Sequence, residues 1–296
     1  MNFIDNILQP IKIEPISLDN MSEELFAMYV WKMLKQENKN ILLVTPTLLE
    51  ANKLFQKIGL YTENAYLFPM DDFLTSEAIA VSPDLLITRL ETLKEISLGK
   101  PLIIITHLMG YLHFLPTKEN YDSKILSLTV NMEISRDDLI NKLLLLGYKR
   151  ETIVTKTGEI GVRGFIVDIF PLGEIHPIRI EFFGDSIESI RTFDENNQRS
   201  LEHKKQITIY PCTEFLINEL IEEEKTSKTL EEYIEVSSIQ DYLKQPIVIY
   251  KDIHTIKNVY ETTKNEVLDY IKEQSIKPKR YFFPYEEKYI KNSILY

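Results

Sequence analysis

Hydrophobic positions change their period along the chain, and the changes mark out its parts. Leu25, Phe26, Tyr29, Val30, Met33 and Leu34 recur at helical spacing behind Asn20 and Glu23, which stand three apart as in a capping box. This predicts an amphipathic helix. Ile41, Leu42, Leu43 and Val44 form a continuous apolar run, as in a strand buried on both faces of a parallel sheet. Thr45 and Pro46 then open a predicted helix containing Leu48, Leu49, Ala51, Leu54, Phe55 and Ile58, with Gly59 placed to end it. A second strand is expected at Ala65 to Phe68. It is followed by a helix capped at Ser82, with Pro83 in its first position, running through Leu85, Leu86, Leu90 and Leu93 to Gly99. A third buried strand is expected at Leu102 to Ile105. Strand then helix, repeated, is the α/β pattern.

From about residue 118 this alternation stops. Ser135 is placed to cap a helix with Leu139, Ile140, Leu143 and Leu144 on one face and Gly147 past its end. Thr152 to Thr155, Gly161 to Phe170, Pro177 to Phe183, Ile187 to Phe193 and Ile207 to Tyr210 then read as strands of an antiparallel sheet, separated by Gly-containing turns. After Pro211 the chain becomes acidic and helical in pattern, with Glu222 to Glu224, Glu231, Glu232 and Glu235 crowded together. Pro246 precedes another apolar run, Ile247 to Tyr250, and a long helical pattern from about Ile256 to Glu273 follows. Because this last strand and helix resemble the opening ones, the two ends are expected to share one sheet. The expected fold is α/β: a parallel-sheet domain built from residues 1–117 and 211–296, with an α+β domain of mainly antiparallel strands, residues 118–210, inserted into it.

Composition limits the chemistry. The 296 residues suffice for two domains, and 34 basic against 45 acidic side chains give a formal charge of −11. Such a surface repels a phosphate backbone, so nucleic-acid binding would need a local basic patch. Cys212 is the only cysteine, no apolar run is long enough to span a bilayer, and the first residues lack the basic and apolar regions of a secretory signal. The expected setting is the cytoplasm, with no membrane partner.

No catalytic constellation stands out. A phosphate-cradling loop needs G-x-x-x-x-G-K-[ST], since glycines let backbone amides close on the phosphates and lysine neutralises them. The single Gly-Lys pair, Gly99-Lys100, is followed by Pro101, which has no amide hydrogen and no hydroxyl. His107, His113, His176, His203 and His254 are scattered, without the spacing of a metal-ligand set. Asp71 and Asp72 are adjacent loop residues whose side chains diverge. Cys212 lacks a neighbouring base and reads as a small hydrophobe. No catalytic, cofactor-binding or metal-binding residue is therefore assigned.

The informative stretch comprises G-Y-K-R from Gly147, G-E-I-G-V-R-G-F-I-V-D-I-F-P from Gly158, P-I-R-I-E-F-F-G-D-S-I-E-S-I-R-T-F-D from Pro177 and Q-R-S from Gln198. Strand periodicity puts Ile178, Ile180 and Phe182 on one face and Arg179, Glu181 and Phe183 on the other. The first set suits a core. On the second face an Arg fork beside an aromatic ring is the combination enriched at protein–protein hot spots. Equally, Arg179 could pair with a neighbouring acid while Phe183 packs under a loop, and periodicity does not choose between the two.

These strings resemble the signature of the transcription-repair coupling factor family (Mfd), in the module it shares with the excision-repair helicase UvrB. I-L-L-V-T-P-T-L-L-E-A-N-K-L from Ile41, Phe68-Pro69 and S-P-D-L-L-I-T-R-L-E-T-L from Ser82 fit the same module. The resemblance implies a degenerate, RecA-type helicase-like domain that has lost its P-loop, divided into 1a (residues 1–117) and 1b (211–296), with domain 2 (118–210) between them. It implies a non-catalytic role in which domain 2 docks on UvrA, through Arg163, Arg179 and Phe183. An ATP-dependent damage-binding helicase subunit similar to UvrB is the alternative. For the family's full-length protein it further implies downstream domains that bind RNA polymerase and double-stranded DNA, a downstream motor as the place for ATP, and masking of domain 2 by a C-terminal domain.

Overall fold

The computed structural model of the chain describes residues 21–70, 82–216 and 235–273, with side chains described as far as residue 265. Asn20, Asp71, Asp72, Glu222 to Glu224, Glu231 and Glu232 lie outside the described residues. Two compact units are distinguished: Met1–His113 with Ser238–Tyr296, and Phe114–Ser237. Relative to the expected boundaries, the interrupting unit begins four residues sooner and takes in the residues from 211 to 237.

In the first unit, helix α1 (Glu23–Glu37) is capped by Ser22, whose hydroxyl accepts from the Leu25 amide at 3.3 Å. The helix ends at Asn38 in the left-handed conformation, φ 50°, with its amide donating to the Leu34 carbonyl. Strand β1 (Ile41–Thr45) is buried at every position. Helix α2 (Leu48–Gly59) starts from Thr47, two residues later than Thr45-Pro46 suggested, and Gly59 is its last helical residue, not a left-handed cap. Strand β2 (Ala65–Phe68), helix α3 (Pro83–Ser97), strand β3 (Ile103–His107) and the short helix α4 (Leu108–Tyr111) follow.

The second unit opens with the two-residue strand β4 (Leu115–Pro116), helix α5 (Lys118–Ser123) and strand β5 (Leu126–Thr129). Helix α6 (Arg136–Leu145) is capped as its sequence predicts: the Ser135 hydroxyl accepts from the Asp138 amide at 3.0 Å, and Gly147 follows with φ +86°. After β6 (Lys149–Arg150) come β7 (Glu159–Arg163), β8 (Ile166–Ile169), β9 (Ile178–Phe183), β10 (Ser186–Phe193), β11 (Ser200–Lys204), β12 (Gln206–Ile209) and β13 (Val236–Ser237). Strands β6 to β11 form one sheet in the order β11-β10-β9-β8-β7-β6, antiparallel except for β6 with β7.

Two sequence expectations are corrected here. The run Gly161 to Phe170 is a hairpin, not one strand: it reverses at Gly164 and Phe165, where Gly164 supplies φ +55° at the first turn position and Arg163 pairs with Ile166. Thr152 to Thr155 form no strand, because the Thr155 and Lys156 amides go to the Glu159 carboxylate at 2.7 and 2.9 Å instead of to a neighbouring backbone.

The chain then returns to the first unit with β14 (Ile247–Tyr250) and α7 (Ile253–Glu273). Strand β14 pairs with β1 in parallel, Ile41 opposite Ile247, so the two ends of the sequence do share one sheet, of order β14-β1-β3-β2. Ala27, Val30 and Met33 of α1, Ala51, Leu54 and Ile58 of α2, and Ile41, Leu43, Ile103, Ile105 and Ile249 of the strands form its core. Largely apolar strands are what a sheet covered on both faces requires, and β1 and β3 are buried at every position.

Candidate functional site

The site is built on the alternation of β7, β8 and β9. Ile160, Val167, Ile169, Ile178 and Ile180 are fully buried on one face, and Phe182 is 4% exposed. Register places Asp168 opposite Arg179 and Gly161 opposite Asp168 on the other face, with Ile166 opposite both Arg163 and Glu181.

On that face one carboxylate organises two guanidinium groups. Arg179 Nε donates to Asp168 Oδ1 at 2.7 Å and Nη2 to Oδ2 at 2.9 Å, the paired geometry a planar fork favours. Arg163 Nη2 donates to the same Oδ2 at 2.7 Å. Arg179 Nη2 also reaches Gln198 Oε1 at 3.0 Å, and its guanidinium lies 4.3 Å from the centre of the Phe193 ring. The Asp168 carboxylate beside it holds the Arg179 guanidinium further into its charged form. A second pair follows along the face: Arg191 donates through both Nη atoms to Glu181, whose carboxyl is held below the usual range chiefly by that guanidinium.

The residues predicted from sequence are therefore placed unequally. Phe183 is 79% exposed at the end of β9, and the Arg163 side chain is 55% exposed. The Arg179 side chain is only 10% exposed, so it sits within the face and not above it. Arg163 and Arg179 meet on one carboxylate. Sequence reasoning passed over Asp168 itself, although a charged residue between Val167 and Ile169 in an apolar strand is a visible signal. It also passed over Phe165, which is 70% exposed in the β7–β8 turn.

The other candidates carry less chemistry. At the carboxyl end of β1, the Thr47 hydroxyl caps α2 by accepting from the Glu50 amide at 3.3 Å, and the Thr45 hydroxyl donates to the Thr47 carbonyl at 2.9 Å. His107 is fully buried, whereas His176 faces Glu195 at 3.4 Å. Among the described residues no group of His, Cys, Asp and Glu could hold a metal ion, and no helix is long and apolar enough to cross a membrane. Burial pushes the Cys212 thiol up to about 11, which suppresses its reactive form.

Comparison with known proteins bears on this same unit. Residues 126–215 match the family described as the UvrB interaction domain. The chain is 39% identical over 200 residues to the transcription-repair-coupling factor of Staphylococcus aureus strain USA300, an alignment covering 65% of this chain and 17% of that protein. It is 32% identical over 208 residues to the transcription-repair-coupling factor of Staphylococcus epidermidis strain RP62A, covering 70% of this chain and 18% of the relative. The chain thus spans less than a fifth of the length of these relatives.

Proposed function

Since the chain carries a UvrB-like module of the kind found in transcription-repair-coupling factors, we propose that it is a non-catalytic recruiting module whose β7–β9 face docks on UvrA. In this reading Phe183 and Arg163 touch the partner. Arg179 lies beneath them and, through Asp168, fixes where the Arg163 guanidinium stands. The parallel-sheet unit is a degenerate helicase-like scaffold. Docking would bring excision repair to a lesion at which RNA polymerase has stalled, in the cytoplasm, with polymerase and double-stranded DNA handled by other parts of a longer protein.

One observation carries the reading. The face within the matched residues displays, on strands β9 and β7, a ring that is 79% exposed and a half-exposed guanidinium held on a buried carboxylate. A flat apolar surface and an oriented Arg fork both gain most when a partner excludes water, and a preset fork loses little freedom on binding. Titration calorimetry of the chain with purified UvrA tests it. Saturable binding that Phe183→Ala weakens is expected; no binding, or equal binding by the variant, would overturn the reading.

A further inference from the structure

The connection from β10 to β11 contains one residue in the left-handed conformation, and it is a glutamine: Gln198 has φ +62°. Glycine or asparagine adopts that conformation at lower cost, and the chain has asparagine at both preceding positions, 196 and 197. The turn itself is fixed by other groups. Asp194 Oδ1 accepts from the amides of Asn196 and Asn197 at 2.9 and 3.0 Å, the Gln198 amide donates to the Asp194 carbonyl at 2.8 Å, and the Asp194 amide donates to the Arg199 carbonyl at 2.9 Å. None of these bonds uses the Gln198 side chain. A backbone outlier in a turn determined by its neighbours directs attention to what that side chain reaches.

It reaches the docking face. Gln198 Nε2 donates to the Glu195 carbonyl at 3.0 Å, and Oε1 accepts from Arg179 Nη2, also at 3.0 Å. A guanidinium can present either of two edges to a carboxylate, Nε with Nη2 or Nη1 with Nη2. Arg179 presents the first edge to Asp168. Each Nη2 hydrogen belongs to one edge, so the hydrogen that Gln198 takes is the one the second edge would need. The amide thereby closes that edge to the carboxylate. With Arg179 fixed in this way, Asp168 Oδ2 keeps a lone pair directed at Arg163 Nη2, 2.7 Å away. Rolling Arg179 onto its other edge would turn the carboxylate and carry the Arg163 contact with it.

We propose that Gln198 is a positioning residue for UvrA docking, holding Arg179 and Asp168, and through them the Arg163 guanidinium, in the arrangement that UvrA meets. The proposal rests on the reading of this face given above.

The test is calorimetry with UvrA on the natural chain, Gln198→Gly, Gln198→Asn, Arg163→Ala, Phe183→Ala and the double variant Arg163→Ala/Gln198→Gly, with thermal melts of each. Glycine and asparagine both suit the left-handed turn and both lose the bond to Arg179, asparagine because its amide is one methylene too short. Each is expected to weaken binding by about threefold or more while melting within about 2 °C of the natural chain. In the Arg163→Ala background, Gln198→Gly should change affinity by less than about twofold, since the guanidinium it positions is gone. Equal losses in both backgrounds would mean that the turn acts on UvrA by another route, and an early melt of both Gln198 variants would make the bond a structural one; either result overturns the proposal. If Arg163→Ala weakens binding and neither Gln198 variant does, the positioning role is refuted while the docking face stands. If the natural chain fails to bind UvrA, or if Arg163→Ala and Phe183→Ala both bind as it does, the docking reading fails and this inference with it.

Discussion

Asp168 and Arg179 face each other across β8 and β9, and two hydrogen bonds of 2.7 and 2.9 Å join a carboxylate that is 6% exposed to a guanidinium that is 10% exposed. Removing one member of such a pair leaves the other desolvated without compensation, the costly case for buried ions. Asp168→Ala is expected to lower unfolding stability by about 3 kcal/mol in denaturant titrations. Arg179→Met in the same chain should recover part of that loss, because it removes the stranded charge. A double variant no more stable than Asp168→Ala alone would show that the pair is not what the face depends on.

Phe183 should behave in the opposite way. Its ring is 79% exposed, so truncation removes little that folding buries. Phe183→Ala is expected to leave the melting temperature within about 1 °C and to weaken UvrA binding by about 1–3 kcal/mol. A variant that instead melts early would mean that the ring packs within its own domain in solution.

The contrast between these two residues measures how far the sequence could be read. Period-two alternation correctly separates Ile178, Ile180 and Phe182 from Arg179, Glu181 and Phe183, because side-chain direction in a strand is a local property. Whether a residue on the outer face is open or covered is not local. Arg179 is enclosed by Asp168 and Gln198 and by the ring of Phe193, which belong to β8, to the β10–β11 connection and to β10. Ser200 to Lys204 escaped notice for a related reason: a polar edge strand has no apolar period to betray it. The hairpin at Gly164 was marked by its glycine, but apolar residues on both sides hid the reversal. The apolar runs of β1, β3 and β14, by contrast, announced both their type and their common sheet.

Two glycines of the second unit should respond differently to the same substitution. Gly147 has φ +86°, and a methyl group there would come within 2.6 Å of Thr213 Cβ and 3.0 Å of the Thr213 amide nitrogen. Gly164 has φ +55° with no atom within 4 Å of that position. Gly147→Ala is expected to cost about 2–3 kcal/mol, combining backbone strain with a clash against Thr213, and Gly164→Ala about 1 kcal/mol from strain alone. Urea midpoints of the two variants, compared at equal slope, check the order.

Glu23 connects three elements of the first unit, accepting from Lys57 of α2 and, at 3.0 Å, from Lys251 just after β14. Those ammonium groups hold its carboxyl down to about 2, against about 4.3 for an unperturbed glutamate. The folded carboxyl is the stronger acid, so its contribution is fully present above the unfolded value and is lost as pH falls towards 2. Melting temperature should therefore drop between pH 5 and pH 2. The Glu23→Gln chain should start lower and fall less steeply over the same range, and parallel curves would exclude this carboxylate as a source of the acid sensitivity.

The turn after β1 decides what is expected of nucleotide. In an open parallel sheet, phosphates are gripped at the carboxyl ends of strands by successive backbone amides at the start of the next helix. Here the connection from β1 to α2 is Pro46-Thr47. Pro46 has no amide hydrogen to give. The Thr47 hydroxyl is engaged with the Glu50 amide, and the Glu50 carboxylate in the first helical turn sets a negative charge where a phosphate would bring more. Calorimetric titration of the chain with Mg-ATP should therefore give no saturable heat up to about 1 mM, which corresponds to less than about 4 kcal/mol of binding. A micromolar isotherm of unit stoichiometry would restore the alternative, an ATP-dependent damage-binding subunit similar to UvrB, and would require a phosphate site built without glycine or lysine at this turn.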